Sequence, residues 1–293
     1  MKFSLSKIAP YLLAIIVFMI VSIAYFSPVL EGKKIQQGDI TQFKGSSKEI
    51  ADFRAEYNTE PYWTNATFGG MPAYAVSAYY PYDFINKLDN LIRFLPRPAD
   101  YLFLYFLSFF ILLLVLKVDW KLAIVGALGF GFSTYLVIIL GVGHNAKAHA
   151  IAYFPLVLAG ILLVFQRKYI LGFIITAFAM ALELSASHIQ MTYYLLFLVL
   201  IYGIVKLIDS IKKNEIPHFV KSVLILVVAV VLAVGTNATR LMATSEYSKV
   251  STRGKSELTI NPDGSGKQVT NGLSKEYITQ YSYGIPETFN LFI

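Results

Sequence analysis

Three short polar clusters interrupt an otherwise apolar chain, and each holds groups able to move a proton or grip an anion. The first is Gly38-Asp39-Ile40-Thr41-Gln42. A carboxylate such as Asp39, held near the end of a membrane helix, could take a proton from an acceptor hydroxyl as a general base, with Gln42 beside it as a binding group. Gly-Asp pairs are abundant in loops, so an ordinary turn is the commoner origin of this pattern. The second cluster is Gly143-His144-Asn145-Ala146-Lys147-Ala148-His149. His144, Lys147 and His149 could together clamp a phosphate, the lysine acting as a point charge. A divalent metal held through the two imidazoles is the weaker reading, because no nearby carboxylate pair completes a ligand spacing. A polar cap on a helical hairpin explains the same residues about as well. The third cluster, Glu183 to Gln190, supplies Glu183, His188 and Gln190. Glu183 closes an apolar run, where either Lys147 or His188 could pair with it, or its carboxylate could reach the interface unaided.

The elements that must position these groups are membrane helices. Of the 293 residues 56% are hydrophobic, and they are gathered in blocks close to the roughly 20 residues that a helix needs to cross a bilayer. The blocks run at about 8–30, 100–116, 122–140, 150–165, 169–184, 191–208 and 219–238. The first is too long for a signal peptide, and Ala24-Tyr25-Phe26-Ser27 offers no small-x-small cleavage site. Ten of the 25 basic residues fall in short segments on one side: Lys2 and Lys7, Lys117 and Lys121, Arg167 and Lys168, and Lys206, Lys212, Lys213 and Lys221. The short loops on the other side carry Lys147 as their only Lys or Arg. This alternation predicts seven spans with the N-terminus in the cytoplasm. It also accounts for the net charge of +7 without a basic stripe, which argues against a nucleic-acid partner. The absence of cysteine excludes disulfides and thiolate metal sites.

On this topology, residues 1–238 form an all-α polytopic bundle with an extracytoplasmic loop at 31–99, and 239–293 form an extracytoplasmic segment. The chain stops on the apolar run Asn290-Leu291-Phe292-Ile293, from which further spans are expected beyond it. Within the first loop, Ser46-Ser47-Lys48-Glu49 has the capping-box spacing ahead of Ile50, Phe53 and Tyr57. A second amphipathic helix is expected from Phe84 to Leu95, lying in the interface plane on Phe84, Leu88, Ile92 and Leu95, with Arg93 and Arg97 at its end. Trp63, Phe68, Tyr74, Tyr79 and Tyr80 could stack on sugar rings, although an interfacial aromatic belt is the commoner explanation. Asn261 to Gly266 reads as a turn between strands. The sequons at Asn65 and Asn237 are too short a pattern to use.

These residues, in order, resemble the YfhO family of bacterial membrane proteins, whose architecture is similar to that of the GT-C glycosyltransferases. The matching segments are Gly38 to Gln42, Thr67-Phe68-Gly69-Gly70-Met71-Pro72, Gly143-His144, Ser187-His188-Ile189-Gln190-Met191-Thr192-Tyr193-Tyr194, Arg253-Gly254-Lys255 and Tyr281 to Thr288. They cover most of this chain and the N-terminal part of a family member. The resemblance implies a polytopic helical bundle of GT-C type in the inner (cytoplasmic) membrane. It further implies transfer of a sugar from a polyprenyl-phosphate donor to a glycan or lipid acceptor of the cell envelope, on the extracytoplasmic face. Asp39 matches the first-loop base that would activate the acceptor; from their position in the sequence, and not from the family, His144, Lys147 and His149 would then stabilise the leaving phosphate. The competing class is a non-catalytic membrane protein, either a transporter or flippase of lipid-linked substrate or an envelope-assembly scaffold. Transport wants discontinuous helices and polar groups at the bilayer midplane, whereas the middles of these spans are almost free of charge.

Overall fold

Every apolar block folds as helix, because in hydrocarbon the backbone N–H and C=O groups must be satisfied within their own segment. The computed structural model of the chain describes residues 5–251, 254–255, 259–260, 263–266, 273–280, 282 and 284–287. It divides into two units, residues 1–237 and 238–293. The first contains α1 (Leu5–Tyr25), then the loop helices α2 (Gly38–Ser46), α3 (Lys48–Tyr57), α4 (Ala73–Val76) and α5 (Phe84–Ile92). After them come α6 (Ala99–Val115), α7 (Trp120–Gly131), α8 (Thr134–Val142), α9 (Asn145–Phe165), α10 (Tyr169–Ser185), α11 (Ile189–Lys212) and α12 (Ile216–Thr236). Four of these, α1, α9, α11 and α12, are long and apolar enough to cross a membrane. A fifth span results if α7 and α8, bent by 48° at Phe132–Ser133, are counted as one. The remaining two blocks, α6 and α10, are apolar helices of 17 residues. The chain is an all-α membrane protein.

The helix bounds depart from the apolar blocks in instructive places. The first helix ends at Tyr25, since Pro28 starts a 3-10 turn at Ser27–Glu31 that closes on Gly32. The block at 122–140 is broken rather than continuous. The block placed at 150–165 begins five residues earlier, at Asn145, because the alanines at 146, 148 and 150 extend the helix into the polar cluster. His149 therefore lies in a helix and not in a loop.

The core is built around α9, which packs against α6 on one side and α10 on the other. Its crossing with α10 is close enough that a Cβ on Gly160 would meet the backbone and side chain of Thr176. Small residues at such crossings let two membrane helices gain dispersion contact that bulkier ones would prevent. By contrast, the apolar faces of α1, α11 and α12 are largely uncovered, with 11% of the α11 window buried. Apolar faces left bare at that scale belong in lipid.

The turns after α6, α9 and α11 share one closure. Lys117, Arg167 and Asn214 each adopt left-handed backbone, with φ of 64°, 63° and 55°. In each case the next residue's N–H reaches back to the helix: Val118 to Leu113 O, Lys168 to Leu163 O and Glu215 to Ser210 O. These are Schellman caps, and two of them set a cation against the negative end of the helix dipole.

The first loop is tied together by Glu49. Its Oε2 accepts from Thr64 Oγ1 at 2.5 Å and from the Asn65 and Ala66 N–H groups at 2.9 and 3.0 Å. The Thr64 hydrogen bond in particular holds its carboxyl below the usual range. The expected capping box is thus not made: Ser47 caps α3 without a side-chain hydrogen bond, because Glu49 is engaged by the hairpin. That hairpin pairs β1 (Trp63–Thr64) with β2 (Met71–Pro72) through left-handed Phe68, Gly69 and Gly70.

The second unit holds α13 (Ala238–Ser248), α14 (Lys275–Thr279) and an isolated antiparallel bridge between Ile260 and Gly266 around left-handed Gly264. The turn expected at Asn261–Gly266 is described in its Asp263–Gly266 part. Asn261, Pro262, Arg253, Tyr281, Tyr283, Thr288 and the apolar end at 290–293 lie outside the described residues.

Candidate functional site

The start of α2 and the α8–α9 turn are locked to each other, and this lock brings the first two clusters together. Gln37, in extended backbone, caps α2 and donates its Nε2 to Leu140 O at 2.6 Å, near the end of α8. Gly143 then turns left-handed at φ 96°, and a Cβ there would strike the Gln37 side chain. The position needs glycine for conformation and for space alike. Gly143→Ala is expected to destabilise the chain by about 1–2 kcal/mol and to loosen this junction. Thermal unfolding in detergent, read beside wild type, measures it.

The junction sets Asp39, in the first turn of α2, against His144, the residue capping α9. Asp39 Oδ2 lies 2.9 Å from His144 Nδ1, and both side chains are about half exposed. Lys147 follows in the first turn of α9. His188, between α10 and α11, is near enough that the charges of Lys147 and His144 reinforce burial in lowering its pKa. Its buried Nδ1 has no hydrogen-bond partner among the described residues. One face of the protein thus presents a carboxylate–imidazole pair, an ammonium and an unsatisfied imidazole nitrogen. Gln42 is exposed, one turn along α2 from Asp39. Gln190 donates to Tyr194 Oη at 2.7 Å.

Two residues expected in this layer are elsewhere. His149 does not join His144 and Lys147, because its helical position turns it into the core, where it is buried. Its Nε2 lies 2.6 Å from Asp89 Oδ1. Glu183 is buried at 1% exposure and pairs with neither Lys147 nor His188; Thr192 Oγ1 donates to its two oxygens at 2.9 and 3.1 Å. Among the described residues no group of three or more His, Asp or Glu side chains could hold a metal ion.

The sequence reading missed the most heavily charged site in the molecule. Asp89, on α5, accepts from His149 and from Tyr153 Oη at 2.6 Å on one oxygen, and from Arg93 at 2.5 and 2.9 Å on the other. Arg93 also donates to Asp100 at 2.8 Å, and its guanidinium lies over the Tyr101 ring. Burial opposes ionisation of Asp89, but the hydrogen bonds and charges of His149 and Arg93 outweigh it and hold the carboxyl well below its usual range. Burial opposes the Arg93 charge too, and Asp89 overrides it. These bonds clamp α5 onto α6 and α9, and α5 packs against the core on Ile85, Leu88 and Ile92. A carboxylate on the apolar face of an amphipathic segment, and another at the head of an apolar run, were the available signals.

No family model matches the chain, and neither a curated protein nor a solved structure matches it.

Proposed function

We propose that the chain is a GT-C-type membrane glycosyltransferase resembling the YfhO family. It moves a sugar from a polyprenyl-phosphate donor to an acceptor of the bacterial cell envelope, on the extracytoplasmic side of the inner membrane. The topology belongs to the proposal: seven spans, with α7 and α8 as one, and the N-terminus in the cytoplasm. The observation that carries the reading is the convergence of Asp39, His144, Lys147 and His188 from three separated stretches of sequence. His144 engages Oδ2 of Asp39, which leaves Oδ1 to accept a proton from the acceptor hydroxyl. In this reading Lys147 meets the charge of the leaving lipid phosphate, His144 is a hydrogen-bonding neighbour, and His188 has a nitrogen still to be satisfied. His149, held by Asp89, supports the fold of this region and takes no part in binding phosphate.

The test is transfer in proteoliposomes from a panel of labelled polyprenyl-phosphate monosaccharides to envelope extract. The expected result is release of unglycosylated polyprenyl phosphate with at least one sugar; no release from any donor would overturn the reading. One observation favours a second reading, a transporter of lipid-linked substrate: the 48° break between α7 and α8 is the kind of discontinuity that transporters use. Movement of labelled donor to the opposite leaflet without sugar transfer would establish it.

A further inference from the structure

At the opposite ends of these helices from the Asp39–His144 junction, α10 and α12 start side by side. Arg167 pairs with Glu215 at 2.7 Å just ahead of the two helices, and Tyr169 Oη is 2.9 Å from His218 Nδ1. His218 Nε2 donates to Phe165 O at 3.1 Å, so in the neutral imidazole Nδ1 accepts from Tyr169. The Tyr169 ring is thereby fixed, and Lys221 Nζ lies 4.4 Å from its centre. Lys221 is exposed, and Glu215, which caps α12, is paired with Arg167.

Running away from this cationic end is an apolar groove of about 380 Å³ between α10 and α12. Tyr169, Ile170 and Phe173 line one wall, and Leu224, Ile225 and Val228 the other. The second set follows Lys221 at three, four and seven residues, which places the ammonium and the wall on one helix face. The site therefore has an apolar trough for a hydrocarbon chain and, at its mouth, a cation already desolvated on one side by an aromatic ring. The positive ends of two helix dipoles point to the same mouth, and Lys168 immediately precedes Tyr169. Nothing at the groove needs rearranging to receive a ligand, since His218, Tyr169 and Arg167 are already paired.

We propose that this groove is a binding site for an anionic phospholipid, its phosphate held by Lys221 at the N-termini of α10 and α12 and one acyl chain lying along Leu224, Ile225 and Val228. The charge pattern selects this occupant over a zwitterionic lipid: basic pockets between membrane helices bind acidic headgroups, each lysine contributing about 1 kcal/mol. The site is independent of the sugar-transfer reading and shares no residue with it.

The experiment is native mass spectrometry of the full, delipidated chain in nonionic detergent, titrated with dioleoyl phosphatidylglycerol or dioleoyl phosphatidylcholine. The expected preference for phosphatidylglycerol is about fivefold. Lys221→Gln is expected to abolish most of that preference and Lys221→Arg to keep it. Val228→Trp, which fills the trough and leaves the charges alone, is expected to weaken binding of both lipids. Lys206→Gln, which removes a lysine from the face of Tyr202, is expected to change nothing. The proposal is overturned if Lys221→Gln and Lys206→Gln act alike, since the attraction is then diffuse. Unchanged binding in Val228→Trp, or displacement of the lipid by soluble glycerophosphate at equal concentration, would also overturn it.

Discussion

Replacing Arg93 with methionine is expected to destabilise the chain by about 3–5 kcal/mol, the usual cost of removing one partner from a buried ion network. Arg93 is 6% exposed at the side chain and touches two carboxylates that are each 2% exposed. Without it, Asp89 keeps His149 and Tyr153, whereas Asp100 keeps the Tyr101 N–H and the more distant, exposed Arg97 at 3.7 Å. Asp100, which burial already holds above its usual range, then loses its nearest cation, Asp89 loses its guanidinium, and the clamp on α5 opens. Methionine preserves much of the apolar stem, so the loss reports charge more than packing. Adding Asp89→Asn and Asp100→Asn to Arg93→Met should recover a large part of the loss, because the uncompensated charges disappear with the cation.

Within this network Asp89 contributes a pH dependence of definite sign, and Asp100, whose carboxyl burial holds above its usual range, opposes it. The folded-state pKa of Asp89 lies well below the unfolded value. Its contribution to stability is therefore fully present above pH about 5, where the carboxyl is ionised in both states. As the pH falls, the unfolded chain binds a proton that the folded chain refuses, and stability drains until the folded pKa is passed. The thermal midpoint of wild type in detergent should fall from pH 5 downward, and the fall should be shallower in Arg93→Met. A fall as steep in Asp89→Asn as in wild type would mean that Asp89 does not carry it.

What could be read from the sequence, and what could not, follows from the physics of each residue's neighbours. The apolar blocks are legible as helices because hydrocarbon leaves the backbone almost no alternative. The pairing of Asp39 with His144 was within reach, since both clusters lie at helix ends on the same side of the alternating charges. His149 was misread because position five along a helix is about 140° around it, not on the same face. The alanines at 146, 148 and 150 were the local sign that this stretch is helix, and the polar residues between them masked it. α5 was read as amphipathic from Phe84, Leu88, Ile92 and Leu95, yet the face it buries also includes Asp89. An ionised carboxylate on that face makes sense only once Arg93, His149 and Tyr153 are known to surround it, and 64 residues separate Asp89 from Tyr153. Long-range charge compensation leaves no local pattern.

For Asp39→Asn the expected result is a loss of sugar transfer of about 10²–10⁴-fold with an unchanged thermal midpoint. The two halves of that expectation come from one observation. Asp39 is half exposed, and its contact is with a half-exposed histidine, an arrangement worth about 0–1 kcal/mol to folding. A structural role would therefore leave nothing to lose, whereas a general base loses its function with its negative oxygen. Asparagine is the apt replacement, because its carbonyl can still accept from His144 and keep the junction of α2 with the α8–α9 turn in place. His144→Gln separates the contributions further. If the imidazole orients Asp39 or meets the leaving phosphate, transfer falls by less than in Asp39→Asn and KM for the donor rises. If His144 is itself the base, its loss equals that of Asp39→Asn, and the double variant is no worse than either alone. Full transfer activity in a correctly inserted Asp39→Asn protein would return Asp39 to an ordinary turn and leave the convergence of Lys147 and His188 without a base to serve.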